Sequence, residues 1–89
     1  MVRYRIEVRG VVQGVGFRWF TRRVAGGLGL TGFVQNLDDG SVLCETEGDA
    51  PQLASLLEQL RRGPSGACVD EVVWREVAAA ADRGFEVRR

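Results

Sequence analysis

The stretch GVVQGVGFR, residues 10–18, combines three glycines with a closing arginine. The alternating sequence before it predicts a strand and the apolar spacing after it predicts a helix, so the stretch is expected to be a connecting loop. Backbone N–H groups in such a loop lack partners, and glycine permits conformations that turn successive N–H groups toward one point. The positive end of the following helix dipole faces the same point. These residue types predict a cradle for a phosphate-like anion.

Arg18 closes this loop at the first turn of the expected helix. Its planar guanidinium carries a permanent positive charge and can donate two parallel hydrogen bonds to phosphate oxygens. The same residues also fit a plainer interpretation, in which Gly14 and Gly16 only shape a turn and Arg18 is a solvated helix residue. Both interpretations stay open on the residue types alone.

The composition excludes several kinds of chemistry. All twelve basic residues are arginine, because the chain contains neither lysine nor histidine. A lysine Schiff base, a phosphohistidine and a histidine general base are therefore excluded. Twelve acidic residues bring the net charge to zero, which disfavours nucleic acid as a partner, since bulk affinity for it needs clustered positive charge.

The N-terminal sequence MVRYRIEVRG alternates and is charged, which is not typical of a secretory signal. No apolar run reaches the length of about 18 residues that a membrane span needs. The chain is therefore expected to be cytoplasmic, with no membrane partner.

Two cysteines and two adjacent aspartates are the other candidates for chemistry. Cys44 and Cys68 lie far apart, neither belongs to a CxxC pair, and no histidine is present to complete a zinc site. They are expected to be reduced and packed as small hydrophobic residues. Asp38 and Asp39 precede Gly40, which indicates a turn rather than a carboxylate pair for acid–base work or a metal. No metal site is predicted.

Two tryptophans and an arginine pair are assigned structural roles. Trp19 and Trp74 could line a pocket, but packing in the core or on a sheet face is the expectation for both. Arg22 and Arg23 are expected on a solvated helix face.

Period-two alternation and turn residues predict the strands. Residues 2–10 alternate apolar and charged side chains, which is typical of a half-buried strand. Residues 31–37 and 41–48 flank the turn sequence DDG and are predicted to form a hairpin. Residues 68–77 form a further strand, and residues 84–89 add a last short one after an alanine-rich bridge.

Helical spacing predicts two helices. The first runs over residues 17–28, and its apolar stripe comprises Phe17, Phe20, Val24 and Leu28. The second follows a potential cap at Asp49, has Pro51 in its first turn and ends before Gly63. Its apolar stripe comprises Leu53, Leu56, Leu57 and Leu60.

The element order β-α-β-β-α-β predicts a ferredoxin-like α+β sandwich, in which two helices cover one face of an antiparallel sheet. A length of 89 residues indicates one domain, residues 1–89. No surplus apolar stripe remains once the core is assigned, so a monomer is expected. Many unrelated functions use this architecture, and the function must therefore be inferred from a site.

Two sequence elements carry a family resemblance. GVVQGVGFR closely resembles the phosphate-binding loop of acylphosphatases, and GFVQNLDDGSV at residues 32–42 resembles that family's second signature element. The segment LGLTG between them and the Gly-Pro pair after the second helix are similar too. The resemblance covers essentially the whole chain, as a single acylphosphatase-like domain.

The resemblance implies roles for particular residues. Arg18 corresponds to the family's catalytic arginine and Asn36 to its catalytic asparagine. The phosphoryl group would be held by the loop from Gln13 to Arg18, which comprises Gln13, Gly14, Val15, Gly16, Phe17 and Arg18. The implied reaction is hydrolysis of a small-molecule acyl phosphate to a carboxylate and inorganic phosphate, with no metal and no cofactor. Inorganic phosphate or sulfate is expected as a product-like ligand.

The chain departs from the family pattern at one position beside the site. Gln35 stands where the family often has arginine, and it should alternate away from Asn36 on the strand, so little effect on the chemistry is expected. The final GFEVRR is only a loose match. Neither sequence element identifies the acyl group, and acetyl phosphate, carbamoyl phosphate and 1,3-bisphosphoglycerate all stay possible.

Three alternatives compete with this hypothesis. An RNA-recognition domain of the same fold needs several aromatic residues on central strands, whereas the strands here offer Tyr4 and Phe33. Acylphosphatase-like domains also occur inside larger carbamoyl-transferring maturation proteins, but a chain that ends at Arg89 favours a free-standing hydrolase. An inactive relative that only binds anions is disfavoured because both Arg18 and Asn36 are present.

Overall fold

The computed structural model describes residues 1–89 and contains five strands and two helices. Their order is β1 (Val2–Val11), α1 (Phe17–Gly27), β2 (Thr31–Asn36), β3 (Val42–Gly48), α2 (Ala50–Arg62), β4 (Cys68–Val77) and β5 (Phe85–Val87). Every predicted element is present near its expected bounds. Neither helix is long and apolar enough to cross a membrane.

The five strands form one sheet in the order β4-β1-β3-β2-β5. β1 pairs antiparallel with β3 and β4, and β2 pairs antiparallel with β3, as the hairpin prediction required. β5 pairs parallel with β2, so the expectation of a wholly antiparallel sheet is wrong at this edge and the sheet is mixed.

The parallel pairing of β5 follows from the route of residues 78–84. β4 ends with Val77 beside Arg3, at the beginning of β1. β5 begins with Phe85 beside Gly32, at the beginning of β2. Because the connection crosses the sheet at the end where β1 and β2 both begin, β5 must run in the same direction as β2.

The core lies between the helices and one face of the sheet. Alternate residues of the three inner strands supply its sheet side, including Ile6, Val8, Val34, Val42 and Cys44. The leucine stripe of α2 is buried as predicted. Burial raises the pKa of the Cys44 thiol. Cys68 is exposed, so the prediction that both cysteines are packed in the interior is wrong for Cys68, which begins an edge strand.

Helix α1 buries a slightly different stripe from the predicted one. Phe17, Thr21 and Ala25 are buried, whereas the expected Phe20, Val24 and Leu28 are only partly buried against the core. Thr21 can lie inside because its hydroxyl donates to the Phe17 carbonyl oxygen at 2.9 Å, which satisfies the buried polar group.

The other face of the sheet carries ion pairs instead of a second layer. Arg3 is only 2% exposed, because residues 78–84 pass over it. Its guanidinium lies 2.8 Å from both Glu45 and Asp82, and the Ala80 N–H donates to Glu47 at 3.0 Å. These contacts fix the position of residues 78–84, the connection that leads from β4 to β5.

Candidate active site

The loop between β1 and α1 depends on two glycines with left-handed backbone. Gly14 has φ 76° and Gly16 has φ 78°, values that side chains with a Cβ rarely adopt. A Cβ at either position would meet no neighbouring atom, so the requirement is conformational rather than steric. Gly16 is the N-cap of α1, and the sequence therefore places flexible residues where the chain must turn into the helix.

The loop and the first turn of α1 present N–H groups that the chain does not pair. The first backbone hydrogen bond of the helix is donated by Phe20 to the Gly16 carbonyl oxygen, at 3.0 Å. The N–H groups from Gln13 to Trp19 have no backbone acceptor. Unpaired donors at the positive end of a helix form a favourable environment for an anion.

Arg18 is the second residue of α1. Its Nη1 donates to the backbone carbonyl oxygen of Arg88 at 2.9 Å, and the Arg88 N–H donates to the Val34 carbonyl oxygen at 2.8 Å. Arg18 forms no ion pair, whereas Arg3 and Arg9 each contact carboxylates. The segment after β5 therefore orients the guanidinium without neutralising its charge.

Asn36 ends β2 and shares a face with Val34, which is fully buried in the core. Its register partner on β3 is Val42. Gln35 pairs with Leu43 and lies on the opposite face, as strand alternation predicts. The departure from the family pattern at Gln35 therefore points away from the site.

Arg18 and Asn36 line one small pocket of about 190 Å³, together with Gly14, Gly16 and Phe17. Val12 and Trp19 also line it, and neither was predicted as a site residue. Of the predicted loop residues, Gln13 and Val15 do not line the pocket. Val15 packs against the core instead.

Gln13 holds the turn that follows Asn36. Its Nε2 donates to the carbonyl oxygens of Leu37 and Ser41, both at 2.8 Å. The side-chain amide of glutamine offers two donors, and both are used here. This role could not be predicted from the sequence, because Gln13 is separated from Leu37 by 24 positions and from Ser41 by 28 positions. No local pattern indicates contacts over such separations.

Asp39 completes the same turn. Its carboxylate accepts hydrogen bonds from the Ser41 hydroxyl at 2.6 Å and the Ser41 N–H at 2.9 Å. These bonds hold the pKa of the Asp39 carboxyl below its usual value. The prediction that Asp38 and Asp39 are turn residues is confirmed. No three His, Cys, Asp or Glu side chains lie together as a metal centre would require.

The two tryptophans lie in different environments. Trp74 stacks on Tyr4 with ring centroids 4.5 Å apart, which confirms sheet-face packing. Trp19 is 62% exposed and lines the pocket, so the expectation that it packs in the core or on a sheet face is wrong. The stripe that faces the core runs through Phe17, Thr21 and Ala25, and Trp19 lies off that stripe.

A model of the acylphosphatase family matches residues 4–87, a span that includes the loop, Arg18 and Asn36. The chain belongs to the acylphosphatase family. The family resemblance predicted from the two sequence elements is thereby confirmed.

Known acylphosphatases are similar to this chain over nearly their full length. An acylphosphatase from Thermotoga maritima is 45% identical over 84 residues, which span 94% of this chain and 93% of that protein. The crystal structure of acylphosphatase from Bacillus subtilis is 36% identical, with a TM-score of 0.97, and each chain covers 100% of the other. The ferredoxin-like α+β fold is thereby confirmed.

The same fold also occurs within a longer protein. The crystal structure of HypF from T. kodakarensis is 34% identical with a TM-score of 0.88, and the match covers 100% of this chain but 12% of HypF. The acylphosphatases described above match this chain in length as well as in fold.

The RNA-recognition alternative is not favoured. The Arg88 guanidinium lies 3.8 Å from the Phe33 ring centroid and covers it. Tyr4 is occupied by its stack with Trp74. Neither aromatic ring on these strands is open to stack a base.

Proposed function

We propose that this acylphosphatase family member hydrolyses acyl phosphates to a carboxylate and inorganic phosphate in the pocket between the β1–α1 loop and Asn36. One observation carries the proposal. An arginine with no carboxylate partner and a set of unpaired N–H groups line the same small pocket as a strand-end asparagine.

The phosphoryl group binds to the loop and to Arg18. The N–H groups of Gly14, Gly16 and Phe17, which line the pocket, donate to its oxygens, and the Arg18 guanidinium adds a charge-assisted contact. Phosphoryl transfer depends mainly on positioning and on stabilising charge on the equatorial oxygens. Donors fixed by the fold need no reorganisation as that charge develops.

The acyl phosphate itself supplies a good leaving group. The bond between phosphorus and the acyl oxygen breaks, and its electron pair leaves with the carboxylate, which is a weak base and needs no proton from the enzyme. The site therefore requires no general acid at this oxygen, which agrees with a chain that contains no histidine and no lysine.

Asn36 holds the attacking water. Its side-chain amide offers a donor and an acceptor that fix a water molecule in line with the leaving group. The water oxygen forms the new bond to phosphorus. An amide is not a useful base, so the proton released by the water passes to a phosphoryl oxygen of the substrate.

Several expectations accompany this mechanism. The Arg18 guanidinium supplies a full positive charge and the backbone N–H groups supply partial positive charges, so we expect activity without added metal or cofactor. Inorganic phosphate, the product, should occupy the same pocket, and sulfate should mimic it. A monomeric state stays a prediction. A cytoplasmic location stays a prediction.

The test is hydrolysis of benzoyl phosphate in excess chelator by the wild type, Arg18→Ala and Arg75→Ala. Arg75 is exposed on β4, at the opposite edge of the sheet from β5, and its substitution removes the same charge. We expect turnover in the wild type and Arg75→Ala, and a loss of about 10³-fold or more in Arg18→Ala. Absence of turnover in the folded wild type would overturn the proposal.

A further inference from the structure

A second hollow adjoins the phosphate pocket along the outer side of α1. We call it the Trp19 groove and define it by Trp19, Phe20, Arg22, Arg23, Pro64 and Phe85. Its volume is about 620 Å³. It shares Gly16 and Trp19 with the phosphate pocket, so a molecule held by its phosphoryl group in that pocket can extend directly into the groove.

Two arginines in the groove carry charge that no carboxylate neutralises. The ion pairs of the molecule involve other arginines, and neither Arg22 nor Arg23 takes part in one. Glu86 lines a neighbouring hollow together with Trp19 and Arg22, and its carboxylate pairs with Arg88 at 3.1 Å. The groove therefore has a positive surface in a chain whose formal net charge is zero.

Aromatic rings and a backbone carbonyl hold these arginines in place. The Arg22 guanidinium lies 5.6 Å from the Trp19 ring centroid, and its Nε donates to the Phe85 carbonyl oxygen at 3.4 Å. The Arg23 guanidinium lies 5.9 Å from the Phe20 ring centroid. Such contacts orient a guanidinium but leave its positive charge available to an anion.

We propose that the Trp19 groove receives the acyl group, and that it selects acyl phosphates whose acyl group carries a second anionic substituent. The phosphoryl group occupies the loop, the acyl carbon chain or ring crosses Trp19, and the distal carboxylate or phosphate reaches Arg22 or Arg23. This inference rests on the proposed function. It assigns Arg22 and Arg23 as specificity residues that contact the substrate away from the reacting bond.

The test compares two substrates of matched shape, para-carboxybenzoyl phosphate and para-methylbenzoyl phosphate. The quantity measured is the ratio of their kcat/KM values in the wild type, Arg22→Gln, Arg23→Gln and the double variant. Arg75→Gln is the control, since it removes the same charge from the far edge of the sheet. Thermal unfolding followed by circular dichroism verifies that each variant is folded.

We expect the wild type to prefer the carboxylated substrate and each single substitution to lower the ratio by about two- to fivefold, the range for exposed charge pairs. The change should lie in KM, because the contact is the same in the bound substrate and the transition state. Arg75→Gln should keep the wild-type ratio. Added salt should reduce the preference by screening it.

Two failures can be told apart. A wild type that hydrolyses both substrates with a ratio near one, or a double variant that keeps the wild-type ratio, overturns the role of the Trp19 groove and leaves the proposed function intact. A folded wild type that hydrolyses neither substrate overturns both the proposed function and the role of the Trp19 groove.

Discussion

Arg18 donates a hydrogen bond from Nη1 to the backbone carbonyl oxygen of Arg88, at 2.9 Å. The contact joins the first turn of α1 to the segment that follows β5, the edge strand farthest from β4 in the sheet. That segment is itself fixed by the hydrogen bond from the Arg88 N–H to the Val34 carbonyl oxygen. The orientation of the Arg18 guanidinium therefore depends on backbone atoms of Arg88, not on its side chain.

This arrangement predicts different outcomes for two substitutions at one position. Arg88→Ala keeps both backbone groups, so kcat should stay near the wild-type value. Arg88→Pro removes the N–H that binds Val34 and displaces the carbonyl that binds Arg18, so kcat should fall about tenfold, as for partial loss of a preorganised contact. Steady-state hydrolysis of benzoyl phosphate measures both, and equal activities would contradict the backbone role.

Asn36→Ala should separate binding from turnover. In the proposed mechanism its amide positions the water while the loop and Arg18 hold the phosphate, so the Kd for inorganic phosphate should change by less than about threefold while kcat falls about 10²-fold or more. Calorimetric titration gives the first value and benzoyl phosphate hydrolysis the second. A variant with near-normal turnover would rule out water positioning by Asn36.

Gln13→Met should loosen the turn after Asn36 without adding charge. Methionine is similar in size to glutamine but cannot donate to the Leu37 and Ser41 carbonyl oxygens. Loss of these partly buried bonds should lower the free energy of unfolding by about 1–3 kcal/mol. Because Leu37 adjoins Asn36, kcat should fall about tenfold with little change in phosphate affinity. Urea unfolding and kinetics test the two effects, and an unchanged kcat in the destabilised variant would restrict Gln13 to a structural role.

Asp39 should make part of the stability depend on acid pH. Its pKa is depressed in the folded state by the Ser41 hydroxyl and N–H, so its contribution is fully present above the unfolded pKa of about 3.9 and is lost as pH falls through the lower folded value. Asp39→Asn should therefore be less stable than the wild type at neutral pH, and the difference should shrink in strong acid. Urea unfolding at several pH values measures it, and a difference independent of pH would show that the carboxylate charge is not involved.

The residues that make the loop could be recognised from the sequence because their chemistry is local. Gly14 and Gly16 are needed for a turn between a strand and a helix, and Arg18 follows in the same stretch. Asn36 is different, because one amide at a strand end has no distinctive pattern, and only the family resemblance assigned it a role. The structure places it in the same pocket as Arg18.

Features that depend on the route of the chain could not be predicted. The direction of β5 follows from the path of residues 78–84 across the sheet, which no periodicity encodes. The exposure of Trp19 follows from the rotation of α1, which is set by the burial of Phe17, Thr21 and Ala25. The hydrogen bonds from Gln13 to the β2–β3 turn join segments that are distant in the sequence, so no local pattern indicates them.

The most direct test of phosphoryl transfer in this pocket is to hydrolyse benzoyl phosphate in water enriched in oxygen-18 and to locate the label by mass spectrometry. The proposed mechanism places the phosphoryl group on the loop and Arg18, with the water held by Asn36 beside phosphorus. It predicts that the label enters inorganic phosphate and not benzoate. Label in benzoate would show that water attacks the acyl carbon, and would contradict the assignment of this pocket to phosphoryl transfer.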